Sequence, residues 1–229
     1  MTGFIRFPST PHLAWLGEGR PRNDKVLPPN EALDLLDHDI TVEEKVDGAN
    51  LGFSMDEHGG LRIQNRGSYI DLETPKDQFK RVKSWLAPRR SALEAALYPD
   101  LMIFGEWCYA VHSISYKRLP DWFLVFDVLD RGSSEFWSSP RRDAFSRTLD
   151  LAVVPRIANG RFDIPALTGL LRDSVLTDGP AEGLYVRRDT ENVLRSRAKL
   201  VRPEFVQAIS EHWSKRAFKA NTVLPPLMR

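Results

Sequence analysis

Residues Val42 to Asn50 read VEEKVDGAN. Two acids and a lysine close a strand-like ITVEEK, and the chain then turns at Asp47–Gly48 into a second apolar run, ANLGFSM. A lysine in such a place is ordinarily a solvated surface group. The alternative is an amine held as a nucleophile beside a phosphate. K-x-D-G alone is too short to decide between them, so the decision rests on what accompanies it along the chain.

The chain has 229 residues, 42% of them hydrophobic, with six Trp and twelve Phe, enough for a real core. Its 32 basic and 31 acidic residues leave a formal charge of +1, so a polyanion partner must be met by a local patch and not by a global field. A single cysteine, Cys108, excludes an internal disulfide and fits a reducing compartment; a cytoplasmic protein is expected. No window approaches the roughly 18 apolar residues of a membrane span. The five histidines show no paired-ligand spacing, so no structural zinc site is expected.

Residues 1–30 are rich in Pro, Gly and charge and read as an irregular arm, with Arg20, Arg22 and Lys25 as its cations. NEALDLLD reads as a helix capped by Asn30. ITVEEKV, ANLGFSM and LRIQNR follow as strands, the last two joined by a hairpin turn at Glu57 to Gly60. From Pro75 to Leu97, Phe79, Val82, Trp85, Leu86, Leu93 and Leu97 recur at helical spacing, with a break at Pro88. LMIFGEW and WFLVFDVLD are apolar strands. SSPRRDAFSRTLDL reads as a serine-capped helix with a proline in its first turn, and FDIPALTGLLRD as another helix. EGLYVRR and NVLRSRAKLV pair around the DTEN turn, and PEFVQAISEHWSKRAF closes as a helix. Antiparallel strands mixed with helices make the fold class α+β.

Polar groups interrupt or end these apolar strands in a repeated way: Glu106 in FGEWCY, Asp127 in FLVFDV, Glu182 before GLYV, Arg197 and Lys199 in RSRAKLV. An uncompensated charge in such a place is costly. Four interruptions in order are harder to dismiss than one.

The ordered set EKVDGAN, QNRG, FGEWC, FLVFDV, EGLYV and RAKLV resembles the covalent nucleotidyltransferases, the ATP-dependent polynucleotide ligases and mRNA capping enzymes, and within them the phage-type nick-sealing RNA ligases. The likeness spans roughly residues 40–205. It implies a nucleotidyltransferase domain, the ATP-grasp-like adenylation module of ligases, with antiparallel sheets flanked by helices. The implied organisation is an arm over 1–30 and this module over 31–229, with no separate C-terminal domain. The implied activity is an ATP-dependent RNA ligase that forms a covalent lysyl-AMP, passes AMP to a 5′-phosphate and joins that end to a 3′-hydroxyl.

The resemblance assigns Lys45 as nucleophile and Glu182 and Lys199 as its catalytic partners. Arg66 falls on phosphate near the reacting ends. Glu44 reads the adenine edge and Phe126 stacks on the base, with Phe123 as the other aromatic candidate. Glu106 meets ribose or metal, and Glu106 with Glu182 would hold Mg²⁺ or Mn²⁺. Asp47 and Gly48 complete the turn, expected to face nucleotide or metal. Asn50 serves the later sealing steps, and Arg197 joins Lys199 on the triphosphate, on the same strand face by period two. The family usually has lysine where Arg197 stands, and an arginine there is not equivalent.

Lysine's ordinary pKa near 10.4 leaves the amine neutral about once in a few thousand molecules at neutral pH, so a depressed value is expected for Lys45. RNA ends or a nicked duplex are the expected partners, with a separate end-healing kinase or phosphatase. Candidate polyanion contacts are Arg81, Lys83, Arg89 and Arg90, then Arg187, Arg188 and Arg195, and also Lys117 and Arg118. The competing readings are a DNA ligase or capping-type guanylyltransferase, and a non-catalytic nucleotide- or RNA-binding module.

Overall fold

The computed structural model describes residues 3–18, 25–207 and 218–225. In chain order the elements are α1 (Pro29–Leu36), β1 (Ile40–Lys45), β2 (Ala49–Met55), β3 (Leu61–Gln64), α2 (Val82–Leu86), α3 (Arg90–Leu97), β4 (Leu101–Trp107), β5 (Phe123–Asp130), β6 (Glu135–Phe136), α4 (Ser139–Thr148), β7 (Ala152–Val153), β8 (Arg156–Gly160), α5 (Ile164–Gly169), β9 (Gly183–Asp189), β10 (Leu194–Val201) and α6 (Pro203–Gln207). They form two sheets, ordered β10-β9-β1-β8 and β3-β2-β4-β5-β6, with β7 added parallel to β5. All other strand pairs are antiparallel. The α+β class holds.

Period-two alternation decides what each face carries. On the four-stranded sheet Ile40, Val42, Leu184, Val186, Ala198 and Leu200 point outward and pack on Ala32 and Leu35 of α1 and Leu167 of α5. On the other sheet Leu51, Phe53, Ile103, Trp107 and Phe123 point outward under Val82, Trp85, Leu86, Leu93 and Leu97 of α2 and α3. The helices therefore cover the outer faces. The inner faces look at each other, and the polar interruptions of the strands project there. The chain passes from one sheet to the other at Val46–Gly48, between β1 and β2.

The hairpin at Glu57 to Gly60 forms, with Met55 opposite Leu61 and Gly59 at a positive φ of 77°. The segment up to Leu97 is broken before α3, around Pro88. Two caps differ from expectation. Asn30 lies inside α1, which begins with Pro29 after Pro28, and no side chain caps it. Ser138 precedes α4 but donates to the Glu191 carbonyl, while Asp189 accepts from the Ser139 amide. The short strands β6, β7 and β8 carry no strong alternation and were not expected. The helix expected after Pro203 is observed to Gln207; its remainder, and Arg20 and Arg22, lie outside the described residues.

The arm packs on the domain. Lys199 donates its amide to the Pro11 carbonyl, and Leu13 donates to the Lys199 carbonyl, so residues 11–13 run beside β10 and cover its edge. Phe7, His12 and Leu13 are buried.

Candidate active site

Lys45 ends β1 at the crossing between the sheets, opposite Gly183 on β9. Its Nζ donates to Glu182 Oε2 at 2.6 Å, and the two side chains are only 25% and 16% exposed. Burial alone would push the ammonium down, the expected direction. Glu182, Glu106 and Asp47 outweigh it, and the Lys45 pKa is held above its ordinary value. The expected depression is therefore corrected: the nearby charges of three acids outweigh burial at one amine. Burial also pushes the Glu106 carboxyl up, against the pull of Lys45 and with Asp47 and Glu182 adding to it, to about 8. Glu182 is raised by burial as well.

The glycine three residues after Lys45 has a steric cause. A Cβ on Gly48 would lie 2.7 Å from the Trp107 carbonyl oxygen and 3.1 Å from Glu106 Cγ. Its amide donates to Glu106 Oε1 at 3.0 Å, so this close approach aims the carboxylate. Asp47 points elsewhere. Its Oδ2 accepts from the Ser113 and Ile114 amides, at 2.6 and 3.2 Å, and its own amide donates to the Tyr116 hydroxyl. The expectation that Asp47 faces nucleotide or metal is corrected, because two backbone donors hold it toward the loop after β4.

Above Lys45 lies a cleft of about 350 Å³ between the inner faces. Of the expected residues, Glu44, Lys45, Gly48, Asn50, Arg66, Glu106, Phe126 and Lys199 line it. Glu44 is buried, and it accepts from Ser174 Oγ at 2.5 Å and the Val175 amide at 3.1 Å. Asn50 Oδ1 is buried with no hydrogen-bond partner among the described residues, leaving an acceptor at the cleft wall. Arg66 Nη2 donates to Ser9 Oγ at 2.7 Å.

Phe123 and Arg197 are not in the cleft. Phe123 is wholly buried on the outer face, edge-on to Phe53 and Trp85, and is core. Arg197 shares the inner face with Lys199, but its Nη1 is bound to Asp127 Oδ2 at 2.5 Å. Its guanidinium lies 4.5 and 4.3 Å from the Phe7 and Phe136 ring centroids. Held by a carboxylate and two rings, it does not reach toward Lys45.

Most members of the candidate basic sets are ion-paired. Arg187 is fully buried against Asp127; Arg188 pairs with Asp34, Lys83 with Glu73, Arg89 with Asp121, Arg90 with Glu94, and Lys117 and Arg118 with Asp178.

Sequence reasoning missed the arm residues Phe7 to Thr10, which form one wall of the cleft, and also Glu43, Val154 and Tyr185. The available signal was the apolar content of the arm, Phe4, Ile5 and Phe7 and then Leu13, Trp15 and Leu16.

Among the described residues no group of three or more acids, histidines or cysteines could by itself hold a metal ion. Glu106 and Glu182 nevertheless fit a hard divalent cation of the Mg²⁺ kind, which commonly takes one or two carboxylates and completes its shell with water and substrate phosphates. Their approach to one ammonium, Glu182 in contact and Glu106 near enough for its charge to be felt, is the observation that supports the fit.

A family model described as RNA ligase matches residues 38–201. A comparison with curated proteins finds no match. Among solved structures, the chain is similar to an arginine-to-alanine variant of Naegleria gruberi RNA ligase with ATP and Mn, at 14% identity and a TM-score of 0.62, over 89% of this chain and 57% of that one. The same ligase with pyrophosphate gives 16% and 0.59 over 90% and 61%. A lysine-to-methionine variant with AMP and Mn gives 15% and 0.58 over 88% and 63%. This chain thus spans about three-fifths of the length of the structures it matches. At these identities the likeness concerns the fold.

Proposed function

We propose that this chain, which belongs to the RNA ligase family, is an ATP-dependent RNA ligase that works through a covalent lysyl-AMP on Lys45. The fold is that of the nucleotidyltransferase, or ATP-grasp-like adenylation, module. The observation that carries the reading is the Lys45 ammonium, ion-paired with Glu182 at 2.6 Å on the floor of a cleft that Glu106 and Lys199 also line. A solvated surface lysine would have no such cage.

In the first step Lys45 Nζ attacks the α-phosphorus of ATP. A phosphorus–nitrogen bond forms, the bond from the α-phosphorus to the bridging oxygen breaks, and pyrophosphate leaves with the electron pair. The amine must first lose a proton. Glu182, itself raised by burial, is the group in contact with that proton. Phe126 offers its ring to the adenine and Glu44 its buried carboxyl to the base edge. Lys199 sets positive charge on the wall where the triphosphate lies. Glu106 and Glu182 would hold a divalent cation, Mg²⁺ or Mn²⁺, which when bound would supply further positive charge to the phosphates.

In the second step a 5′-phosphate oxygen of an RNA end attacks the same phosphorus and the phosphorus–nitrogen bond breaks. In the third a 3′-hydroxyl attacks the activated 5′-phosphate and AMP departs. Arg66 and Asn50, on the wall beside Lys45, are placed for these later steps. The RNA end or nicked duplex is the partner, with ends healed by a separate kinase or phosphatase, in the cytoplasm, where unpaired Cys108 is at home.

Incubation with ATP labelled at the α-phosphate and Mn²⁺ should leave label on the protein through denaturation, and Lys45→Ala should lose it entirely. Equal labelling of the two proteins would sink the reading. Labelling by GTP alone would turn the assignment to a capping-type enzyme, and a chase that seals only nicked DNA would turn it to a DNA ligase.

A further inference from the structure

Phe126 sits at an irregularity in β5. Phe104 on β4 pairs with Asp127 and Gly105 pairs with Val125, so Phe126 has no partner across the ladder. One extra residue on one strand is a β-bulge, which bends the strand, re-aims side chains and leaves a peptide unit unpaired. The burial pattern carries its signature. Phe123 and Val125 belong to the outer core, but beyond the bulge it is Val128 that does, so the parity has switched. Phe126 and Asp127 consequently both turn to the inner face, one lining the cleft and the other pairing with Arg187 and Arg197. Gly105 makes the bulge possible, since a Cβ there would run into the Phe123 ring and lie 2.7 Å from the Leu124 carbonyl oxygen.

The carbonyl freed by the bulge is held twice. Arg142 Nη1 donates to the Phe126 carbonyl at 2.7 Å and Arg187 Nη1 at 2.9 Å. Arg187 is also tied to Asp127 and to the Trp137 carbonyl. Arg142 reaches in from α4, only 1% exposed, and forks onto the Glu43 carboxylate and Asp143. A salt bridge this deep is seldom a net gain in stability, because both ions are stripped of water. Its position suggests another use. The planar guanidinium makes five contacts to two carboxylates and a carbonyl at once, and a lysine ammonium, with three donors on a single nitrogen, cannot reproduce that fork. From the other side the Phe126 ring is met edge-on by Phe7, 5.0 Å away. Ring and backbone are thus fixed independently.

We infer that Arg142 is a positioning residue for the nucleotide: by pinning the Phe126 carbonyl at the bulge it sets the angle at which the ring meets the base, without itself entering the cleft. This rests on Phe126 being the stacking ring, as proposed above.

A double-mutant cycle on the full chain tests it, reading the rate of covalent labelling against ATP concentration for wild type, Phe126→Ala, Arg142→Lys and the double variant. Phe126→Ala should raise the KM for ATP by roughly tenfold, the usual scale for loss of a base-stacking ring. Arg142→Lys should raise it about threefold at an unchanged maximal rate, and add almost nothing in the Phe126→Ala background. An equal KM rise from Arg142→Lys in both backgrounds overturns the inference, because the effect then does not pass through the ring. So does no KM change from Arg142→Lys where Phe126→Ala shows one. No KM change from Phe126→Ala instead overturns the stacking assignment itself. Should Arg142→Lys fail to fold, Asp143→Asn, which loosens the same guanidinium from outside the cleft, takes its place in the cycle under the same criteria.

Discussion

Two charged assemblies lie between the sheets, and they differ in balance. Behind Phe126, four arginines, Arg142, Arg156, Arg187 and Arg197, meet four carboxylates, Glu43, Asp127, Asp143 and Asp189. On the cleft floor Lys45 lies in the field of Glu182, Glu106 and Asp47, and Lys199 also acts on Glu182. The first assembly is neutral and closed. The second sets three carboxyls beside two amines, and burial, with Asp47 and Glu182 adding to it, raises the Glu106 carboxyl to about 8. A fold gains nothing from such an excess unless something positive completes it, which is what a metal-borne triphosphate would bring. Balance distinguishes scaffold from site here better than burial does, since both assemblies are buried.

The comparison can be broken by attacking each assembly in turn. The largest effect on chemistry is expected from Glu182→Gln, which should lower the rate of covalent labelling by on the order of a hundredfold or more while leaving the melting temperature unchanged or higher. A large drop in melting temperature would make the floor a structural pair after all. Next comes Asp127→Ala, which strands Arg187. Urea unfolding should show about 3–5 kcal/mol lost, with labelling per folded molecule at saturating ATP nearly intact; stability kept and labelling lost would reverse the roles of the two assemblies. Gly48→Ala forces its Cβ against the Trp107 carbonyl and moves Glu106. About 1–3 kcal/mol of stability should go, and labelling should fall roughly tenfold.

The smallest effect concerns pH. Burial raises the Glu44 carboxyl, and the Ser174 and Val175 hydrogen bonds offset only part of that. The folded state then holds this proton more tightly than the unfolded chain. The stability Glu44 contributes is present below its ordinary value of 4.5 and is lost as pH rises through the higher folded value. Glu44→Gln should flatten that decline in melts taken across the range, and an unchanged slope would remove Glu44 from the account.

Much of the fold was legible because its causes are local. Alternation in ITVEEK, ANLGFSM and RSRAKLV, the Glu57–Gly60 turn and the break at Pro88 each act within a few residues. Glu106, Glu182 and Lys199 were found as charges that interrupt or end apolar strands; Glu106 and Lys199 line the cleft with Lys45, and Glu182 pairs with Lys45. Arg197 and Phe123 failed for one reason: strand parity tells which face a side chain takes, but not what waits there. Asp127, 70 residues away, claims Arg197, and α2 covers Phe123. Arg187 read as a surface cation because Asp127 is 60 residues distant, and the arm read as loose because its partner strand, β10, comes near the end of the chain.

By itself the sequence determined the strands and the turns, because steric and periodic preferences act between neighbours, and the order of its motifs singled out Lys45 as the candidate amine. Only the tertiary structure decided which charges balance and which are left in excess. Lys45 meets Glu182 across 137 residues, and Arg142 meets Glu43 across 99. Coulombic and desolvation energies depend on distance and burial in space, and no local pattern carries either.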